Sequence, residues 1–216
     1  YGTLMMRDYI LPDYQQQMDD IAEGLINAVN SIHSQGRGLE AYDEALTATN
    51  KWPSAATALN DPAADIPFDV QNGSFNISVY DSTGAVIETV NVPVVGSGAL
   101  SGQTTVNDIA SAINGSSNLT AAVDADGRIT ITPTGGTSFA FSNDTSGALV
   151  ALGFNGLLQG TKASDIALNS QLVNHPEWIA SGYSTDISLT GDNAAALDLA
   201  AVRNSLIMAG DSQSLD

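Results

Sequence analysis

At 216 residues and 43% apolar composition, the chain is long enough for one ordinary domain or two small ones, and global disorder is excluded. Its 24 acidic residues against 6 basic ones give a formal charge of −18, and Arg7, Arg37, Lys51, Arg128, Lys162 and Arg203 are scattered, which disfavours nucleic acid and anionic membranes as partners. There is no cysteine, so disulfides and thiolate metal sites are excluded, and no apolar run approaches the roughly 20 residues needed to span a bilayer.

Residues 4–34 read as helix with a disturbance near Pro12, whose ring removes a donor and meets the carbonyl four residues back. A kink or restart is expected there, with Pro12 in the first turn of the main helix. Leu11, Tyr14, Met18, Ile21, Leu25, Ala28 and Ile32 recur in steps of three and four and so share one helix face. Gly36 and Gly38 end the helix. Residues 39–50, with Leu39, Tyr42 and Leu46, read as a short second helix before the Trp52-Pro53 break, and 54–65 as irregular, with a helical reading left open for Ala55–Leu59.

The middle is rich in strand and turn signals. Phe75, Ile77 and Val79 alternate with Asn76, Ser78 and Tyr80, as in a half-buried strand. Asp81-Ser82-Thr83-Gly84 is a turn, and 85–94 returns as a second strand. After a flexible loop at 96–102, Thr104 or Thr105 caps a short helix whose face is Val106, Ile109, Ala110 and Ile113. Segments 119–124 and 128–132 flank Asp124-Ala125-Asp126-Gly127 as a hairpin, and 137–142 is a further strand. The expected result is an antiparallel sheet with one helix on its face.

Helical patterning then resumes. Asp144 or Thr145 caps 146–152, with Gly153 at the helix exit. Residues 164–168 read as extended, and His175-Pro176 breaks the chain. Gly191-Asp192-Asn193 opens a closing helix, with Asp192 as its cap and Ala195, Leu199, Val202, Leu206 and Ala209 as its apolar stripe. Each terminal stripe needs a partner, and each is the natural partner of the other. The fold class is therefore α+β: a helical stem built from both chain ends (1–62 and 143–216), with an antiparallel β-rich domain (63–142) carrying one short helix inserted between them. The stem core is Leu11, Tyr14, Met18, Ile21, Leu25, Ala28, Ile32, Ala195, Leu199, Val202 and Leu206. The exposed helix flanks around Gln15, Asp19, Glu23 and Arg203 are the candidate subunit contacts.

Nothing in the sequence demands catalysis. His33, near a helix end, and His175, before a proline, are the only histidines, and surface or capping roles are expected of both. A G-x-S-x-G nucleophile motif is missing. Asp124 and Asp126 lack the further ligands of an EF-hand loop and read as a turn. Gly96-Ser97-Gly98 with Gly102 lacks the lysine of a phosphate loop and reads as a linker. Asp19-Asp20 and Glu23 lie off the stripe, on a solvated face. No catalytic residue, cofactor or metal ligand is assigned, and the chain is read as a non-enzyme. Two rival classes stay open. A surface adhesin or carbohydrate-binding module needs an exposed aromatic cluster in the middle. A hydrolase needs a pocket holding a strongly perturbed carboxylate pair.

Several stretches point in one direction. Leu11-Pro12-Asp13-Tyr14-Gln15-Gln16-Gln17-Met18-Asp19, with Ala22-Glu23-Gly24-Leu25 and Ala28-Val29-Asn30, is similar to the stem helix of the flagellar hook-associated protein 1 family, the hook–filament junction protein of bacterial flagella. Gly73-Ser74-Phe75-Asn76-Ile77-Ser78-Val79-Tyr80-Asp81 and Asp126-Gly127-Arg128-Ile129-Thr130-Ile131 resemble strands of its outer domain. Thr145-Ser146-Gly147-Ala148-Leu149, Ala151-Leu152-Gly153, Asp165-Ile166-Ala167-Leu168-Asn169 and Gly191-Asp192-Asn193 follow in the family's order. Leu157 and Leu158 stand where the family usually has aromatics, and residues 37–62 match poorly.

The resemblance implies a rod-like, extracellular structural subunit of the flagellum. It packs side by side with copies of itself as a ring between hook and filament. Its partners would be the hook protein and a second junction protein, and the full-length protein would use an export chaperone. Export would follow the flagellar type III route, without a cleaved signal peptide. The chain opens on Tyr1 rather than Met, as expected of a core fragment lacking the family's terminal coiled-coil segments.

Overall fold

Pro12 sets how the chain begins. It has no N–H to offer the Asp8 carbonyl, and its ring crowds that group. In the computed structural model, which describes residues 2–187, 189 and 191–204, the preceding segment Met6–Ile10 takes a π-helical turn, with the Leu11 N–H reaching back to the Met6 carbonyl. A short α1 (Gly2–Met5) lies before it and α2 (Leu11–His33) after it, with Pro12 in the first turn. The disturbance is thus a widened turn rather than a break. Along its exposed length α2 is braced by pairs four residues apart, Gln17 Nε2 donating to Asp13 Oδ2 at 2.9 Å and Gln16 Nε2 to Asp20 Oδ1 at 2.7 Å.

Residues 39–50 are not helical. Leu46–Thr47 form β1, paired antiparallel with β5 (Ile129–Pro133), and Tyr42 exchanges both backbone hydrogen bonds with Phe139, at 2.8 and 2.9 Å. Tyr42 is buried among Phe139, Phe141 and Trp178, with ring centroids 5.3, 6.3 and 4.8 Å away. Those aromatic contacts and the sheet's backbone partners outweigh a weak helical spacing of three apolar residues.

The β-rich region holds two three-stranded antiparallel sheets rather than one. In the first, β2 (Gly73–Tyr80) lies between β3 (Val86–Val94) and β6 (Ser138–Ser142). In the second, β5 lies between β1 and β4 (Leu119–Val123). Helix α3 (Val106–Ile113) touches both β3 and β4, and its whole expected face is buried. Thr105, not Thr104, is its cap: Thr105 Oγ1 accepts from the Asp108 N–H, and Asp108 Oδ2 accepts from the Thr105 N–H at 2.8 Å. The Asn114 side chain, just past the helix, donates to the Ala121 carbonyl and accepts from its N–H, both at 2.8 Å. It thereby covers part of the outer edge of β4 as a neighbouring strand would.

Asp144 opens the return segment. Its Oδ1 accepts the N–H groups of Ser146 and Gly147, and its Oδ2 that of Leu149. The wholly buried α4 (Ala148–Leu152) follows and ends at Gly153, whose φ of 75° is the left-handed exit a glycine allows. Of the stretch 164–168 only Ala167–Leu168 is a strand, β8, paired with β7 (Leu158–Gln159). Two short elements, α5 (Ser170–Asn174) and a 3₁₀ turn at Pro176–Trp178, precede the closing helix α6 (Ala194–Ala201). One core runs from Ile26 of α2 through Tyr42, Leu46 and Trp52 to the sheets, α4, Phe154, Leu172 and Trp178. Tyr42, Leu46, Ala48, Trp52 and Leu59, counted on sequence with the stem, belong to that shared core, while Ala41 packs with Tyr80 and Ala140 in a smaller cluster.

Candidate functional site

The N-terminal half of α2, with α1 and the π turn before it, carries the longest run of exposed large apolar residues among the described residues. Leu4, Met5, Met6, Tyr9, Ile10, Leu11, Tyr14 and Met18 are between 39% and 73% exposed, far above what an isolated surface apolar residue represents. Leu11, Tyr14 and Met18 were expected in the stem core and are not buried. The reason is reach. Helix α6 starts beside the far end of α2, where the Gly36 backbone faces Ala195, and its described part is too short to run up to Met18.

The C-terminal half of α2 is rotated relative to the expected face. Its buried residues are Ala22, Ile26, Asn30 and His33, while Ile21, Leu25, Ala28 and Ile32 are half-buried. Two polar side chains therefore face inward, and both find backbone partners. Asn30 donates from Nδ2 to the Leu158 carbonyl at 2.8 Å and accepts from the Leu158 N–H at 3.0 Å, copying a peptide group. His33 Nδ1 lies 2.7 Å from the Asn155 carbonyl, and His33 Nε2 accepts from the Ala180 N–H at 3.0 Å. The second bond requires an unprotonated Nε2, so the ring proton sits on Nδ1. Burial pushes the His33 imidazole below its ordinary value, partly opposed by the Asn155 carbonyl. The surface or capping role expected of His33 is replaced by a fully buried one. In the other stripe Ala195 and Val202 are buried and Leu199 half-buried, while Leu206 and Ala209 lie outside the described residues.

Asn155 completes this junction. Its backbone takes the left-handed conformation, with φ 47°. Its Nδ2 donates to the carbonyls of His33, Ser34 and Gly36 around the exit of α2, the first of which also accepts the Gly36 N–H, and its Oδ1 accepts the Tyr42 hydroxyl. Sequence reasoning passed over Asn30 and Asn155. The available signal was the Asn155-Gly156 pair, one residue beyond the glycine helix exit at Gly153.

Gln15 and Asp19 line an open hollow together with Leu11, Tyr14, Met18, Ala163 and Ser164. Asp19 already serves its own chain, since its Oδ1 accepts the Ala163 N–H at 2.9 Å. Glu23 lies one turn further along, in the adjoining cleft with Asp65 and Lys162. Partial burial, then Asp20 and Asp69, raise its carboxyl above the usual range. Arg203 is exposed at the end of the chain's described part, with Nε 3.3 Å from Asn204 Oδ1, and does not join this group.

The Asp124–Gly127 turn is internally neutralised. Arg128 reaches Asp124 Oδ2 at 2.9 Å, and Lys51 reaches Asp126 at 3.0 Å. The Arg128 N–H leads in holding the Asp124 carboxyl below the usual range. His175 stacks on Trp178 with centroids 3.9 Å apart and bonds Glu177 at 3.0 Å. Among the described residues no three His, Asp or Glu side chains stand together as a metal site, and no helix is long and apolar enough to cross a membrane. No family model matches the chain, and no curated protein matches it.

Proposed function

We propose that this chain is a structural subunit of the bacterial flagellum, joining hook to filament by side-by-side packing into a ring, with its two ends forming a helical stem from which the β-rich region projects. The observation that supports it best is the exposed apolar run from Leu4 to Met18, on a helix whose lower half is firmly seated. A helix with so much apolar surface and no buried residue before Ala22 is suited to neighbours outside its own chain. The ordered sequence resemblance supplies the identity of the assembly. The adhesin reading loses its natural binding surface, because Phe75, Tyr80, Phe139 and Phe141 are all buried.

Genetic complementation tests the proposal. The full-length protein restores filament attachment to a strain lacking its junction protein, and the same protein carrying Tyr14→Glu and Met18→Glu does not. Restoration by the double variant, or failure of the folded, secreted wild type, refutes it. Deleting 63–142 then tells whether the projecting part is needed for attachment.

A further inference from the structure

The exit of α2 and the start of α6 are joined by one short piece of chain, 179–182. Its Ala180 N–H donates to His33 Nε2, and its Ser181 and Gly182 N–H groups donate to the Arg37 carbonyl at 2.9 and 3.3 Å. The Arg37 N–H returns to the Gly182 carbonyl at 2.8 Å, and the Ser181 carbonyl accepts the Ala196 N–H of α6 at 3.1 Å. The backbone of Gly36 lies directly against Ala180 and Ala195. The grip of α2 on α6 thus combines direct packing of the two helices with a strip whose first hydrogen bond ends on an imidazole nitrogen.

We propose that His33 is an acid-operated latch: a second proton on its ring releases the 179–182 strip and with it the seat of α6 on α2. A proton taken from solvent onto Nε2 turns that atom from acceptor to donor. It then faces the Ala180 N–H, and two donors at hydrogen-bond distance cannot both be satisfied. The imidazolium also stands fully buried, with the Asn155 carbonyl as its remaining acceptor. Among the described residues, no carboxylate bonds to His33. Glu177 is engaged by His175, Asp192 by the Tyr183 and Ser184 N–H groups, and Asp198 by the Tyr183 hydroxyl. The Tyr42 hydroxyl points to Asn155 Oδ1, and the Arg37 guanidinium to the carbonyls of Gly38, Ser184 and Asp186. Opening the strip is the way for the charged ring to reach water.

The sign follows from the burial. The ring binds its second proton less readily when folded, so the closed state is at full strength above the free imidazole value of about 6.5 and weakens as pH falls below it. Hydrogen exchange of the whole chain, corrected for intrinsic rates, tests this. Exchange of Ala180, Ser181, Gly182 and the α6 amides speeds up by about tenfold per pH unit below about 6.5, down to the ring's own folded value. The amides of β2 stay protected. His175→Gln leaves the effect in place, and His33→Gln, whose amide can both donate and accept, abolishes it. Nitrogen NMR of the imidazole finds the neutral ring protonated at Nδ1. An Nε2-protonated ring, a strip that stays protected while His33 titrates, or loosening retained in His33→Gln overturns the proposal. If His33→Gln does not fold, the tautomer and the exchange profile of His175→Gln decide it.

Discussion

Asn155 and His33 hold each other reciprocally: the Asn155 amide donates to the His33 carbonyl at 3.0 Å, and His33 Nδ1 donates to the Asn155 carbonyl at 2.7 Å. The pair is 122 residues apart in sequence and ties the end of α2 to the turn that follows α4. The Asn155 side chain satisfies the Ser34 and Gly36 carbonyls and the buried Tyr42 hydroxyl and shares the His33 carbonyl with the Gly36 N–H, so truncating it orphans several groups at once. Asn155→Ala is expected to cost about 3 kcal/mol or more, read as a lower urea midpoint at unchanged slope. Asn155→Gly keeps the left-handed backbone accessible and isolates the side chain's share.

Tyr14→Glu with Met18→Glu tests the exposed face apart from the fold. Both side chains are more than half exposed, so folding stability should change by no more than about 1 kcal/mol in total. Self-association should be lost. In the wild-type chain it should strengthen as added salt screens the −18 charge, and sedimentation across a salt series compares the two.

Gly38 and Gly102 make a contrasting pair. A Cβ at Gly38 would run into the backbone of Glu177 and Trp178, whereas one at Gly102 would meet nothing within 4 Å. Gly38→Ala should destabilise by about 2 kcal/mol or more, because backbone atoms cannot swing aside. Gly102→Ala should be neutral or raise the melting temperature slightly through the unfolded state.

Asp192 links acid to the start of α6. Its carboxylate accepts the N–H groups of Ala194, Ser184 and Tyr183, and these bonds, led by Ala194, hold it below the ordinary aspartate value of 3.8. A carboxyl whose folded value is depressed contributes fully above its unfolded value, and the contribution fades as pH falls through the folded one. Exchange protection at the first turn of α6 should therefore drop again below about pH 4, and Asp192→Asn should remove that second step.

Where a residue's surroundings are local in sequence, the reading and the structure agree closely. The cap of α3 and its four-residue face, the hairpin at Asp124, the turn at Asp81 and the glycine exit at Gly153 depend on neighbours a few residues away. Long-range partners were the difficulty. Tyr42 became a sheet partner because Phe139 lay across from it, and helical spacing says nothing of residue 139. The stripe on α2 marks an apolar side of the helix, yet the seated side is one residue round. There Asn30 and His33 are admitted because distant backbone groups complete their hydrogen bonds. An asparagine or histidine in a helix carries no sign of such a partner. Exposure of Leu11, Tyr14 and Met18 was illegible for a related reason, since periodicity shows that a face needs cover without saying which molecule supplies it.

The widened turn at Met6–Ile10 has a bearing on any neighbour that lies along this helix. Inserting one residue into the winding shifts the azimuth of everything upstream by about 100° relative to Leu11, Tyr14 and Met18. The phase of the apolar run is thus reset just before Pro12, so the residues ahead of it meet any neighbour at a different azimuth from that of an uninterrupted α-helix.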